Sequence, residues 1–468
     1  MDIPGGIFKS YDIRGIYPGE INEEFAVPIT RAIYSFAKKQ FPNKEKLTIV
    51  IGRDMRLSTP AIFKAITETL VDLGAQVIDI GLVSTPTFYY GVFKKKYDGG
   101  IMITASHNPK DYNGLKIVVN PGDGGLIKIG KPTGMDDIRE LSLHPEKIDN
   151  LNATERGSIK VVDGVVDEEV QYALEITRNP SLNNFKVVCD SANAMGALYI
   201  DALYKHIPGE LVRMNFELDG TFPAHPADPL DPKNVEPAQK RVLEEGADLG
   251  LALDGDGDRI FFIDERGEVV KPSMITAIVA RELLKEHKGE KILFDIRYIM
   301  SASRVTKESG GEPVLTKVGH AYITEKMNEG GGIFAGESSG HYFFKATGNA
   351  EGPLLVLLHV LNAMTVQGKK LSELANEVRR SRESGEINFR VKNAKEIIEK
   401  LKLEHKDGEI LELDGVAVQY PDWRFSLRTS NTEPLLRLNV EEEIESYKGR
   451  HEGLVAKIKE LGDFDEET

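Results

Sequence analysis

A single cysteine among 468 residues, Cys189, excludes an intrachain disulfide and the secreted scaffolds that depend on several. It sits in the apolar run Phe185-Lys186-Val187-Val188-Cys189, a core position rather than that of a reactive thiol. Positive charge is also short: 59 Lys and Arg against 74 Asp and Glu leave a formal net charge of -15. That balance argues against nucleic acid as a main partner, since phosphate backbones need a basic surface. It says little about small anions, which respond to local charge. Long apolar runs are missing too. The stretch from Leu354 to Leu358 and onward meets His359 and Asn362, well short of the ~18 residues of a membrane span. The opening MDIPGGIFKSYDIRG carries Asp2, Lys9 and Asp12 and lacks the apolar core of a signal peptide. The expectation is a cytoplasmic protein with no membrane or nucleic-acid partner.

What is present is ordinary globular sequence, 41% hydrophobic and 28% charged, with strand-like runs alternating with amphipathic helical stretches. Length alone, at about 150 residues per domain, suggests three domains. A weak internal repeat agrees. TIVIGRD (48–54), FKVVCDS (185–191) and KILFDIR (291–297) are each an apolar run ending at an Asp. Each is followed by a helix-compatible stretch and a second apolar run that ends in a polar, Gly-rich loop: TASHNP, DGDGDR and GESSGH. After about residue 380 the character changes to the charged connector RRSRESGE, strand alternation and a final helix, which reads as a smaller α+β fourth domain. The expected divisions are 1–158, 159–268, 269–380 and 381–468.

In α/β sheets ligands bind beyond the carboxyl ends of parallel strands, and each of these loops falls there. Ser106, in the loop after GGIMI, is a candidate nucleophile. In LDGDGDRIFFID (253–264), Asp254, Asp256 and Asp258 alternate with glycine, so three carboxylates can face one point and would repel without a cation between them. Oxygen-only ligands suit Mg²⁺ or Ca²⁺ rather than zinc, with Mg²⁺ favoured. An EF-hand fails because Arg259 stands where its loop needs glycine. GESSGH (336–341) groups Glu337, Ser338, Ser339, Gly340 and His341, the donors and acceptors that sugar hydroxyls require, and KVGH adds His320. In LRTSNTEPLLRLNVE (427–441), Arg428, Thr429, Ser430, Asn431 and Thr432 form a candidate phosphate cradle. KSYDIRG (9–15) offers Tyr11 and Arg14. A nucleophile, a divalent cation, a sugar-compatible loop and a distant anion site are sufficient parts for phosphoryl transfer. Two anion sites suit a substrate that carries phosphate at either of two ends.

With YDIRG, TASHNPKDYNGLKI, DGDGDR, GESSGH and RTSNTEP in this order, the whole chain resembles the α-D-phosphohexomutase superfamily, and most closely its phosphomannomutase/phosphoglucomutase branch. The resemblance implies three related mixed α/β domains and a C-terminal TBP-like α+β domain around a central cleft. It implies reversible interconversion of hexose 1-phosphate and hexose 6-phosphate, of mannose, glucose or both, through a phosphoserine at Ser106 and a hexose 1,6-bisphosphate. Asp254, Asp256 and Asp258, with a phosphoserine oxygen of Ser106, match the Mg²⁺ ligands. Glu337, Ser339 and His341 match residues that read the sugar, and Arg428, Ser430, Asn431 and Thr432 match the loop that grips the non-reacting phosphate. Tyr11, Arg14, Lys116, Arg259 and His320 match cleft residues that bind substrate or move protons. Arg297 stands where close relatives carry lysine, and a guanidinium cannot donate a proton at neutral pH. Lys116, His320 and His341 all remain open as general acid or base. The substrate partners are small sugar phosphates, and a monomer is expected ahead of a homodimer. A hinge near 379–386 would open the cleft for the intermediate to turn around.

Three other readings stand beside this one: a phosphoglucosamine mutase, a Mg²⁺-dependent phosphatase working through a phosphoserine, and a non-catalytic sugar-phosphate-binding protein. A serine hydrolase using Ser106 and His107 is disfavoured, because adjacent side chains at a strand end tend to diverge and no G-x-S-x-G elbow is present.

Overall fold

The computed structural model describes residues 3–122, 124–148, 151, 155–429 and 435–464. The three Asp-ended runs are strands at the same place in three sheets. Thr48–Arg53, Lys186–Asp190 and Lys291–Asp295 each lie between two parallel neighbours. In each sheet the second neighbour leads into an antiparallel hairpin, with Gly99–Ile103 pairing Tyr112–Val119, Leu249–Leu253 pairing Ile260–Asp264, and Phe334–Gly336 pairing Tyr342–Phe344. The three polar loops are the turns of those hairpins. Gly99–Ile103 and Leu249–Leu253 are buried at every position, which is why they read as unbroken apolar runs rather than as alternation.

The Asp that ends each central strand has a local cause. Its Oδ1 accepts the backbone N–H two residues on: Arg56 at 3.1 Å from Asp54, Ala192 at 2.9 Å from Asp190, Arg297 at 2.8 Å from Asp295. This side-chain turn satisfies the first N–H beyond the sheet and stops the ladder.

The first sheet keeps one strand beyond the expected domain. Ser158–Val161 runs parallel to Gln76–Leu82, so a division at 158 falls on the first residue of a strand that belongs to the first sheet. The second and third sheets share one apolar core, which includes Cys189. At its centre is the helix Pro353–Gln367, whose Leu354, Leu355, Val356, Leu357 and Leu358 are all buried. A helix apolar on every side is a core helix, and each such side chain contributes roughly 1.5–3 kcal/mol on burial. No helix of the described residues is long and apolar enough to cross a membrane.

The fourth sheet is antiparallel, built around Trp423–Thr429 and Leu435–Glu443, with helices Ala394–Glu404 and Arg450–Leu461 packed on its own core. The fold is therefore three related mixed α/β domains followed by an α+β domain. The last domain is tied to the third. Glu441 accepts the N–H groups of Ile299 (2.6 Å) and Met300 (3.1 Å) at the start of helix Met300–Glu308. Fully buried Arg424 donates to Arg297 O at 2.8 Å. Within the connector, Ser381–Glu383 is itself an edge strand paired with Leu435–Glu443.

Candidate active site

Ser106 lies one turn past the end of Gly99–Ile103 with φ of 49°, in the left-handed region that non-glycine residues rarely adopt. Its N–H donates to Thr104 Oγ1 (2.9 Å) and its Oγ donates to Asp254 Oδ2 (2.8 Å), which joins the loops of the first and second domains. That turn also brings His107 Nδ1 to 3.2 Å from Ser106 Oγ. The expected divergence of these neighbours does not occur, because the positive φ folds the chain back over the serine. Burial, with Arg259 and Arg14 nearby, keeps the His107 imidazole well below its ordinary pKa. Gly255 has to be glycine: a Cβ there would lie 2.3 Å from Ser106 O.

Asp254, Asp256 and Asp258 are buried and offer oxygens within 4.8 Å of one another. Burial and the neighbouring Asp258 and Asp256 push Asp254 far above its ordinary value. For Asp258, burial acts in the same upward direction, but the charges of Lys116 and His341 outweigh it and hold the carboxylate ionised. Lys116 Nζ bridges Asp256 (2.6 Å) and Asp258 (2.5 Å); burial opposes its charge, and the two carboxylates more than restore it. Asp256 Oδ2 also accepts from Thr85 Oγ1 at 2.6 Å, whereas its Oδ1 is buried without a partner among the described residues. Three converging carboxylates, one with an oxygen free of protein donors, fit a hard cation such as Mg²⁺.

The 336–341 loop packs against that cluster. His341 Nδ1 lies 2.8 Å from Glu337 Oε2 and 3.0 Å from Ser339 Oγ, and its Nε2 lies 3.2 Å from Asp258 Oδ1. Burial disfavours the imidazolium, but Asp258 and Glu337 hold its pKa up at about 9. Arg259 Nε sits 3.3 Å from the same His341 Nε2. A protonated ring donates there to the carboxylate, so Arg259 is a neighbouring charge and not a donor to it. Glu337 stays well below its usual range despite burial, held by His341 and Arg297. Its Oε1 accepts the Gly319 N–H at 2.8 Å.

Arg297 forks onto Asp295 (2.9 and 3.2 Å) and reaches Glu337 at 3.5 Å; Asp295 also accepts the Ser338 N–H at 2.6 Å. Gly340, with φ of 86°, leaves room for Phe261, which a Cβ would meet at 2.5 Å. His320 opens helix His320–Gly330, its ring 5.5 Å from that of Tyr11 and 6.4 Å from that of His341. Burial and the charges of Lys128, Lys116 and His341 hold it well below an ordinary histidine, and its Nδ1 is buried without a partner among the described residues. Tyr11 OH donates to Val318 O (3.0 Å), and Arg14 reaches the serine loop at Ala105 O (3.3 Å) and Asn108 Oδ1 (2.5 Å).

In the fourth domain Arg428 donates to Glu386 Oε2 (3.0 Å), and Arg437, its cross-strand partner, donates to Glu386 Oε1 (3.2 Å). Burial and Glu337 raise the Tyr11 phenol, and the Arg428 charge opposes them. Thr429 is exposed at the strand end, and Ser430, Asn431 and Thr432 lie outside the described residues. Thus the structure brings Tyr11, Arg14, Ser106, Lys116, the three Asp, Arg259, Arg297, His320 and the 337–341 loop into one connected cluster. Sequence reading missed Thr85 and Glu386. Thr85 follows an apolar run, as the other site loops do, and only that position could have marked it. For Glu386, in a charged connector, no local signal exists.

Matches to known proteins follow the same division. Residues 5–135, 166–267 and 271–381 match the models for phosphoglucomutase/phosphomannomutase alpha/beta/alpha domains I, II and III, and residues 386–451 match that for the C-terminal domain. The chain is 36% identical over 465 residues to a phosphomannomutase of Vibrio cholerae, covering 97% of this chain and 98% of that protein. It is 36% identical over 435 residues to a phosphomannomutase of Methanocaldococcus jannaschii, covering 93% of each. A crystal structure of a phosphoglucomutase/phosphomannomutase family protein from Burkholderia thailandensis superposes with a TM-score of 0.86 at 30% identity, covering 98% of both chains.

Proposed function

Because the chain belongs to the phosphoglucomutase/phosphomannomutase family and is a hexose-phosphate mutase, we propose that it interconverts the 1- and 6-phosphates of mannose and glucose through a phosphoserine at Ser106. The observation that carries this reading is Ser106 Oγ at 2.8 Å from Asp254, one of three carboxylates that converge within 4.8 Å. In this reading the bond from Ser106 Oγ to phosphorus breaks as a sugar hydroxyl oxygen forms its own bond to phosphorus. A hexose 1,6-bisphosphate results, turns in the cleft, and returns its other phosphoryl group to Ser106. Held by Asp254, Asp256 and Asp258 with a phosphoserine oxygen, Mg²⁺ would neutralise charge on the phosphoryl group in transit.

The protein groups divide by charge. Among Lys116, His341 and His320, only His320 is held neutral, so in this reading it takes the sugar hydroxyl proton, and Lys116, kept protonated by Asp256 and Asp258, gives a proton to the Ser106 oxygen as it leaves phosphorus, while His341 stays charged. Glu337 and Ser339 read sugar hydroxyls with His341, and Ser338 and Gly340 shape that turn. Arg14 and Arg259 attend the reacting phosphate, and Tyr11 lines the cleft beside His320. Arg297 binds as a fixed fork, as its bidentate hold on Asp295 suits it to do. Arg428, with the 429–432 loop, grips the phosphate that does not react. In this reading the four divisions surround the cleft, the second and third moving together on their shared core, and the segment 379–386, which includes the paired strand Ser381–Glu383, is the hinge of the fourth.

The test is a parallel assay on mannose 1-phosphate, glucose 1-phosphate and glucosamine 1-phosphate with Mg²⁺ and a trace of hexose 1,6-bisphosphate, reading 6-phosphate and inorganic phosphate together. Conversion of the mannose and glucose esters with little free phosphate is expected. Preference for the glucosamine ester would reassign the substrate, and free phosphate without 6-phosphate would mark a phosphatase.

A further inference from the structure

Beneath the serine loop lies a fully buried arginine that the reaction scheme above does not use. Arg56 has all five of its guanidinium N–H groups engaged. Nε donates to Asp54 Oδ2 (3.1 Å), Nη1 to Pro109 O (2.6 Å) and Tyr112 O (3.0 Å), and Nη2 to Ser106 O (2.7 Å) and Asn108 O (2.7 Å). Four carbonyls of one loop therefore converge on a single planar fork. We propose that Arg56 is a positioning residue for phosphoryl transfer: it fixes the backbone of residues 106–112 and, through the Ser106 carbonyl, the register between the serine and the Asp254 loop.

Three observations support this. Ser106 is held at φ of 49°, a strained conformation for a non-glycine residue that persists only where its surroundings impose it. Its carbonyl is the one that Gly255 approaches so closely that a Cβ would stand 2.3 Å away, so the donor beneath it also sets the distance to the metal-ligand loop. The second domain then closes over the arginine. The Phe222 ring lies 5.1 Å from the guanidinium carbon, and a Cβ on Gly220 would meet Met55 O at 2.6 Å.

The internal repeat supplies a parallel. Arg56 stands two residues after Asp54 as Arg297 stands two after Asp295, and each returns Nε to its own Asp. The same repeat position serves the sugar loop in the third domain and the serine loop in the first. Lysine would keep the charge but offers three donors from one point, too few and wrongly shaped for four spread carbonyls.

The inference rests on the phosphoserine reading, and full-length Arg56→Lys tests it. With Mg²⁺ and hexose 1,6-bisphosphate present, kcat is expected to fall roughly 100-fold, because small misplacements of reacting groups cost about that much. KM for hexose 1-phosphate should stay within about threefold, since ground-state contacts to substrate are untouched. The half-saturating Mg²⁺ concentration should rise as the serine loses register with the Asp loop, which simple loss of folded protein would not produce. A folded variant with wild-type kcat and Mg²⁺ requirement overturns the proposal. Should Arg56→Lys not fold, Asp54→Asn decides: it keeps an Oδ1 acceptor for the Arg56 N–H and for Thr59 but removes the Nε acceptor and the charge paired with the buried guanidinium, and in folded protein a kcat loss of about tenfold at unchanged KM is expected, with unchanged kcat overturning the proposal. Wild type assayed alongside separates the two failures, because wild type without turnover overturns the mutase reading and this inference with it.

Discussion

Glu169 offers a perturbation whose size can be worked out in advance. It lies on helix Val165–Ile176, is buried, and accepts from Thr87 Oγ1 at 2.5 Å. Thr87 belongs to helix Thr85–Lys94, the helix whose first residue bonds Asp256. Burial raises the Glu169 carboxyl from 4.5 to about 7, and the Thr87 hydrogen bond only partly opposes this. Below pH 4.5 both folded and unfolded chains hold the proton, so the group costs nothing. Between pH 4.5 and about 7 the unfolded chain ionises first, the native state binds more protons, and stability falls as pH rises. At about 1.4 kcal/mol for each tenfold separation in acidity, the loss completed above pH 7 is about 3 kcal/mol. Glu169→Gln keeps the shape and an acceptor for Thr87 but cannot ionise. Scanning calorimetry of both proteins at pH 5 and pH 8.5 reads the difference. Relative to wild type, the variant should gain several degrees in Tm on going to the higher pH, at roughly 2–4 °C per kcal/mol for a cooperative unit of about 200 residues. A Tm difference between the two proteins that stays the same at both pH values would refute the argument.

The remaining expectations concern the cleft. Ser106→Ala should abolish most turnover and leave hexose-phosphate binding, measured by calorimetry, largely intact; near-normal turnover would remove the phosphoserine from the scheme. Asp256→Asn should lower kcat and raise the Mg²⁺ requirement together, because it neutralises the carboxylate whose Oδ1 has no donor among the described residues. Activity that never needs a divalent cation would contradict that assignment. Glu386→Gln should lower KM for hexose phosphates about two- to fivefold, since its carboxylate competes for Arg428 through a partly exposed ion pair worth about 0.5–1 kcal/mol. A rise in KM would instead make Glu386 an orienting partner of that arginine.

What the sequence made legible was punctuation. Apolar runs ending at Asp54, Asp190 and Asp295 could be read because the Asp turn and the buried strand are both local causes. The polar loops after the second runs could be read for the same reason. Ser158–Val161 could not, because all four of its residues are exposed and it joins the sheet through backbone pairing alone, leaving no period-two signal. Within the site, residue types announced the carboxylates and the serine, but not who pairs with whom. Thr85 meets Asp256 across 171 positions, and a lone threonine opening a helix looks like any other. His107 beside Ser106 was misread because one positive φ reverses the usual divergence of neighbours.

The arrangement of charge in the cleft also answers how a chain of net charge -15 can handle dianionic sugars. Distant acidic residues contribute little, since exposed charges are screened beyond about 8 Å at physiological ionic strength. Locally, the site cations already hold carboxylates: Arg14 with Asp12, Lys116 with Asp256 and Asp258, Arg297 with Asp295, Arg428 with Glu386, and His341 with Glu337. A buried unpaired cation would be costly, so these partners let the charges exist in a folded protein before substrate arrives. Under the proposed function an incoming phosphate would exchange with a carboxylate rather than fill an empty positive pocket, and its affinity would be the difference between two ion pairs. That difference is small by construction. In the proposed cycle, where either end of a bisphosphate must be released and rebound, grip on each phosphate has to be exchangeable, and pre-paired arginines would supply it where naked ones would trap the intermediate in one orientation.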